Sequence, residues 1–99
     1  MDRQPKQHQP TLFPLGHVVA TPGALAALRA AGQNPFGFLR RHLCGDWGDL
    51  EEIDRLANEQ ALQEDSRLMS AYQVTAEFRL WIITEADRSV TTLLLPQDY

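Results

Sequence analysis

A chain of 99 residues with 43% hydrophobic and 22% charged side chains has the make-up of one soluble globular domain, large enough to bury roughly two-thirds of its extended surface without staples. Its net charge of −4 and single lysine, Lys6, leave little with which to hold a phosphate backbone, which argues against nucleic acid as a partner. One cysteine, Cys44, excludes an internal disulfide framework; with no apolar leader and no long apolar run, the expected setting is the cytoplasm, away from any membrane.

The charge is segregated along the chain. Residues 1–45 hold five basic side chains and one acid, whereas residues 46–65 hold eight acids against Arg55 alone. Residues 66–99 are nearly balanced, with three basic and four acidic side chains. Such a chain is equipped for a protein partner on its acidic side.

Residues 1–10, MDRQPKQHQP, offer almost nothing to bury and are expected to form a disordered tail to a single domain over 11–99. His17-Val18-Val19-Ala20 is short and β-branched, a candidate edge strand. Thr21-Pro22 then opens a helix, Thr as N-cap and Pro at the first turn, which continues through ALAALRAA and stops at Gly32. Asn34-Pro35 repeats that grammar for a second helix through Leu43, ended by Gly45, with Arg40, Arg41 and His42 in the last turn, where they complement the helix dipole.

Asp49, with Glu52 three residues on, forms a capping-box pattern for a third helix whose buried stripe is Leu50, Ile53, Ala57 and Ala61. From Arg67 the period changes to two. Strands are expected over Leu68–Val74, Phe78–Thr84 and Val90–Leu95, the middle one apolar on both sides and so covered on both faces. The fold class is therefore α+β: three short helices followed by a three-stranded antiparallel meander, with the short N-terminal strand at its edge.

Catalytic grammar is sparse. Neither the GxxxxGK(S/T) phosphate loop nor GxGxxG is present, and one cysteine with three scattered histidines fits no structural zinc spacing. Cys44 and His42 stand two apart on one helix and point away from each other, which leaves Cys44 as a small apolar side chain near a helix end. The sequence concentrates its unusual residues in His42-Leu43-Cys44-Gly45-Asp46-Trp47-Gly48-Asp49. Its acids could meet a divalent cation with His42, and Glu85 and Asp87 could supply a second carboxylate pair, the pattern of a small metal-dependent hydrolase or nuclease-like enzyme. The simpler reading is a tight turn in which the glycines supply positive φ, the acids cap amides and Trp47 folds onto the sheet. Arg88, in the polar hairpin 84–89, is placed to pair with Asp46, Asp49 or Glu85.

Three blocks, Ala20-Thr21-Pro22-Gly23-Ala24-Leu25, His42–Leu50 and Trp81–Thr92, resemble a family of small bacterial proteins of about this length, carried on plasmids, integrative elements and some chromosomes. The resemblance covers about residues 12–99. Members are often labelled "plasmid-related protein" or "type I restriction endonuclease subunit M". The second label implies a DNA methyltransferase, which needs a cofactor-binding domain several times longer than this chain can supply. Asn34-Pro35-Phe36-Gly37 shares part of the (N/D)PP(Y/F) methyltransferase loop but lacks its second proline. The resemblance brings no catalytic residues and no cofactor. What it implies is a mobile-element protein with a host-interaction or anti-defence role.

The function expected from sequence is thus non-enzymatic binding of another protein through Asp46, Trp47, Asp49, Glu85, Asp87 and Arg88, with the acidic third helix beside them. A homodimer through the apolar edge of the sheet is a further expectation. Neither catalytic nor metal-holding residues are assigned.

Overall fold

The computed structural model describes residues 10–99; the tail expected over residues 1–10 falls, except for Pro10, outside them. Along the chain come strand β1 (His17–Ala20), helices α1 (Pro22–Ala30), α2 (Pro35–Leu43) and α3 (Glu52–Glu64), then strands β2 (Leu68–Gln73), β3 (Arg79–Thr84) and β4 (Val90–Leu94). A 3-10 turn over Pro96–Asp98 closes the C-terminus.

The α+β class and the three helices stand, but the sheet is mixed and has four strands, in the order β1-β4-β3-β2. β2, β3 and β4 form the antiparallel meander. β1 joins it parallel to β4, Val18 beside Thr91 and Val19 beside Thr92. The last hairpin leaves one side of β4 unpaired, and β1 fills it: His17 N–H donates to the Ser89 carbonyl at 2.9 Å and Thr21 N–H to that of Leu93 at 3.0 Å. Nothing local in four residues encodes a partner more than seventy positions away, which is why the sequence left β1 without one.

The first two helices start where their caps dictate. The Thr21 hydroxyl accepts from the Ala24 amide at 3.1 Å and the Asn34 side chain from the Phe36 amide at 2.8 Å. The third start is corrected: Glu51, not Asp49, is the N-cap and makes no side-chain capping bond. Asp49 is drawn off to β2, where its carboxylate accepts from the Gln73 amide at 2.9 Å.

Alternation along the strands sets the core. Leu68, Ser70 and Tyr72 share one face with Leu80, Ile82, Thr84, Thr91 and Leu93, all buried. Onto it pack Ala24 and Leu28 from α1 and Leu39 from α2. Phe13, Trp47, Ala61 and Leu68 make a second apolar cluster. The other face is covered less than the expected central strand required: Ile83 and Leu94 are buried, whereas Trp81 and Thr92 are half-buried. There Tyr99 meets Trp81 edge-on, ring centroids 5.7 Å apart, and Arg67 lies over the Tyr99 ring at 5.6 Å.

The sheet's β2 edge is closed by side chains and by a scrap of strand. Asn58, buried on α3, donates to the Met69 carbonyl at 2.7 Å and accepts from its amide at 3.1 Å, as a neighbouring strand would. Ala71 donates to the Trp47 carbonyl at 3.1 Å and its own carbonyl accepts from the Asp49 amide at 2.6 Å. With Gln73 held by Asp49, each outward residue of β2 has a partner. Asn58→Leu strips Met69 of both bonds, and urea unfolding is expected to show a loss of about 2–3 kcal/mol.

Candidate functional site

The turn that follows α2 is built by mutual satisfaction of its own polar groups. Arg41 Nε donates to Asp46 Oδ2 at 2.7 Å, and Asp46 Oδ1 accepts from the Gly48 amide at 3.2 Å. The Arg41 guanidinium holds the Asp46 carboxyl below its usual range, and is itself held charged by it. Arg41 also lies over the Tyr72 ring at 4.5 Å. The Tyr72 hydroxyl donates to the Asp46 carbonyl at 2.6 Å, and burial pushes the phenol up. Trp47 is buried, stacked 6.3 Å from Phe13 and edge-on to His42 at 5.7 Å, and its Nε1 donates to Glu59 at 2.9 Å. Arg55 returns from α3 to clamp the turn, donating to the Gly48 carbonyl at 2.6 Å and to that of Leu50 at 3.2 Å.

The β3–β4 hairpin is tied to the other end of α3. Arg88, in the left-handed region at φ 62°, donates to the carbonyls of Ser66 (2.6 Å), Ala61 (3.1 Å) and Ala86 (3.1 Å). It therefore binds backbone carbonyls at and just beyond the end of α3, and meets Glu85 only through its carbonyl, at 3.2 Å, rather than pairing with the carboxylates of Asp46, Asp49 or Glu85 as expected. Glu85 stands 3.8 Å from Arg67, and Asp87 accepts from the Ser89 amide at 3.0 Å and hydroxyl at 2.6 Å. Those bonds hold the Asp87 carboxyl below its usual range.

The six residues expected to form one site thus fall into two groups at opposite ends of a 13-residue helix, bridged by Phe13, whose ring stacks 6.3 Å from that of Trp47 and lies 5.8 Å from the Arg88 guanidinium. Asp46, Trp47 and Asp49 lead into its first turn; Glu85, Asp87 and Arg88 sit at its last. Between them runs the surface that the sequence missed. Ile53, expected in the buried stripe, is 73% exposed, and Leu56 beside it is 59% exposed. With Gln60 they fall at i, i+3 and i+7, on one outward stripe flanked by Glu52 and Glu64. Ala57, expected in the buried stripe, is exposed too, and Asn58 and Ala61 take the inward positions. The signal was there in principle: Leu56 breaks the Leu50-Ile53-Ala57-Ala61 pattern, so that α3 has one more apolar position than a single face can hold.

His42 does not face Asp46 or Asp49. It is fully buried, with Nδ1 on the Ser70 hydroxyl at 2.5 Å and Nε2 on that of Thr84 at 2.9 Å. Thr84 continues to Thr91 at 2.7 Å, and Thr91 donates to the Leu15 carbonyl at 2.7 Å. Counting hydrogens fixes the chain. The carbonyl takes Thr91's proton, so Thr84 must donate to Thr91, His42 Nε2–H to Thr84, and Ser70 to Nδ1. The imidazole is neutral, and burial holds its pKa down to about 4. Among the described residues no three or more His, Cys, Asp or Glu side chains are grouped to hold a metal ion, and none of their helices is long and apolar enough to cross a membrane.

Compared with known protein families, curated proteins and solved structures, the chain matches none.

Proposed function

We propose that this chain is a non-enzymatic protein-binding module of the mobile-element type, a host-interaction or anti-defence factor, with the outer face of α3 as the centre of its docking surface. The observation that carries the reading is the exposure of Ile53 and Leu56, 73% and 59%, on a helix fixed along its length. Arg55 clamps the start, Asn58 pins the middle to β2 and Arg88 caps the end. Such a helix is a rigid platform that needs little ordering to bind.

Its chemistry names the kind of partner. Two large apolar side chains among Glu51, Glu52, Asp54 and Glu64 suit a protein surface with an apolar centre and basic rim. Asp46 and Asp49 extend the acidic field at one end, and Glu85 and Asp87 at the other. The resemblance to plasmid-borne proteins supports a host protein as that partner.

A photo-crosslinking amino acid at position 56, in bacterial cells producing the chain, tests the reading. The expected result is a cross-link to a second protein that Ile53→Asp reduces at least tenfold while the far-UV spectrum is unchanged. Cross-links only between copies of the chain, or none, would remove it.

A further inference from the structure

We propose that β1 is a self-association edge: a second copy of this chain adds its own β1 antiparallel to it, about a two-fold axis at Val19, joining two four-stranded sheets into one. The two edges of the sheet are finished in opposite ways. On β2 the outward groups of Met69, Ala71 and Gln73 are all engaged by Asn58, Trp47 and Asp49. On β1, His17 and Thr21 donate inward to β4, so the intervening parity leaves the amides and carbonyls of Val18 and Ala20 pointing outward. No described residue bonds them on that side. The strand also lacks the devices that keep edges apart, with no lysine, proline or bulge in His17–Ala20. Val18 and Val19 are 45% and 47% exposed.

The occupant follows from strand parity and charge. Because Val18 and Ala20 both point outward, an identical strand run antiparallel matches Val18 to Ala20 of the second copy, Ala20 to Val18, and Val19 to Val19. Each Val18–Ala20 pair exchanges amide and carbonyl bonds without a slip in register. Pro22 ends the pairing just beyond, so the apolar surface beside the strand must supply the rest of the contact. That surface is present. Val18 lines a groove of about 340 Å³ with Leu15, Phe36, Leu39 and Leu43, Arg40 being its one charged side chain, and Phe36 at its rim is 72% exposed. Val18 and Ala20 share the helix-covered face with Thr91 and Leu93, so the pairing brings the α2 grooves of the two copies together. The strongly acidic stretch lies beyond the opposite edge of the sheet. Three strand spacings put β1 about 14 Å from β2, more than a Debye length at physiological salt, so the acidic stretch does not oppose the approach of two copies at β1.

Sedimentation equilibrium on the full chain is the first measurement, with twice the 11.2 kDa chain mass expected. Val19→Lys puts two ammonium groups at the dyad and is expected to weaken the dimer about 100-fold with an unchanged far-UV spectrum. A second variant reports geometry as well as mass. Val19 faces its own copy at a non-hydrogen-bonded position, where the Cα atoms stand about 4.5 Å apart, within disulfide reach. Val19→Cys, in a Cys44→Ser background, is therefore expected to form an interchain disulfide with oxidised glutathione, and Ile53→Cys in the same background is not. A wild-type chain that stays monomeric at about 500 µM, a dimer that Val19→Lys leaves intact, or a cross-link at position 53 in place of 19 would each overturn the proposal. Only a cross-link at position 53, which would put a second copy on α3, bears on whether α3 binds a host protein; the other two outcomes do not.

Discussion

Lowering the pH from 7 to 4 is expected to remove about 3 kcal/mol of folding stability through His42 alone. The sign follows from where the proton goes. An unfolded chain binds it near the ordinary value of 6.5, whereas the buried imidazole resists until about 4. Stability is thus complete above 6.5 and is lost as the pH falls towards the folded value. The penalty has a structural origin. The ring takes a hydroxyl proton on Nδ1 and gives its own at Nε2, and protonating Nδ1 would force Ser70 to turn round beside a buried charge with no carboxylate bonded to the ring. For a small domain held by about 5–15 kcal/mol, this is a large share. Urea titrations between pH 7 and 4.5 measure it. His42→Gln is expected to be less stable at pH 7 but nearly flat over that window. Parallel curves for the two proteins would show that another group carries the acid sensitivity. Asp46 acts lower down, because Arg41 holds its carboxyl below 3.8 and that contribution is lost only as pH falls through its depressed value.

Gly48→Ala is expected to cost at least about 3 kcal/mol, from left-handed strain and from the bonds it displaces. Gly48 has φ +79°, and an added Cβ would sit 2.1 Å from the Ala71 carbonyl oxygen and 2.6 Å from the Tyr72 ring. Neither neighbour can yield cheaply: the carbonyl receives the Asp49 amide, and the ring lies beneath Arg41. The turn must lift away from β2, taking Trp47 towards water. Chemical denaturation gives the cost, and red-shifted tryptophan emission reports the movement. Gly37→Ala is the control. It lies within α2 with nothing within 4 Å of an added Cβ, and is expected to be neutral or stabilising by up to about 1 kcal/mol. Equal losses in the two variants would sink the argument for close approach at Gly48.

What the sequence made legible is what short-range chemistry decides. Thr21-Pro22 and Asn34-Pro35 start helices because cap and ring act within three residues, and strand alternation put Leu68 and Tyr72 on one side. Competition over distance was not legible. Asp49 had two amide sets within reach, the start of α3 and the edge of β2, and only the fold brings Gln73 close enough to win it. Arg88 had carboxylates to choose from by composition, but the acceptors it meets in space are backbone carbonyls, those of Ala61 and Ser66 at the end of α3 and those of its own hairpin. The buried polar chain left a fainter trace. Ser70, Thr84 and Thr91 occupy helix-face positions in strands otherwise filled with Leu, Ile and Tyr, and His42 is the polar side chain on α2 that matches them. Ile53 and Leu56 show the limit most plainly. Helical spacing says which residues share a side, and only packing says which side is in.

The parallel pairing of β1 with β4 carries a consequence for the order in which the protein assembles. His17 stands beside Val90, whereas the β2–β3 and β3–β4 pairs close over a few residues each. Closing a loop of some seventy residues costs about 2 kcal/mol more than closing one of six, so the meander forms early and β1 docks on a sheet already made. The same asymmetry operates in reverse. In a single copy β1 is the strand whose departure restores the most chain freedom, and the amide of Val19 is expected to exchange with solvent ahead of that of Ile82 by a wide margin.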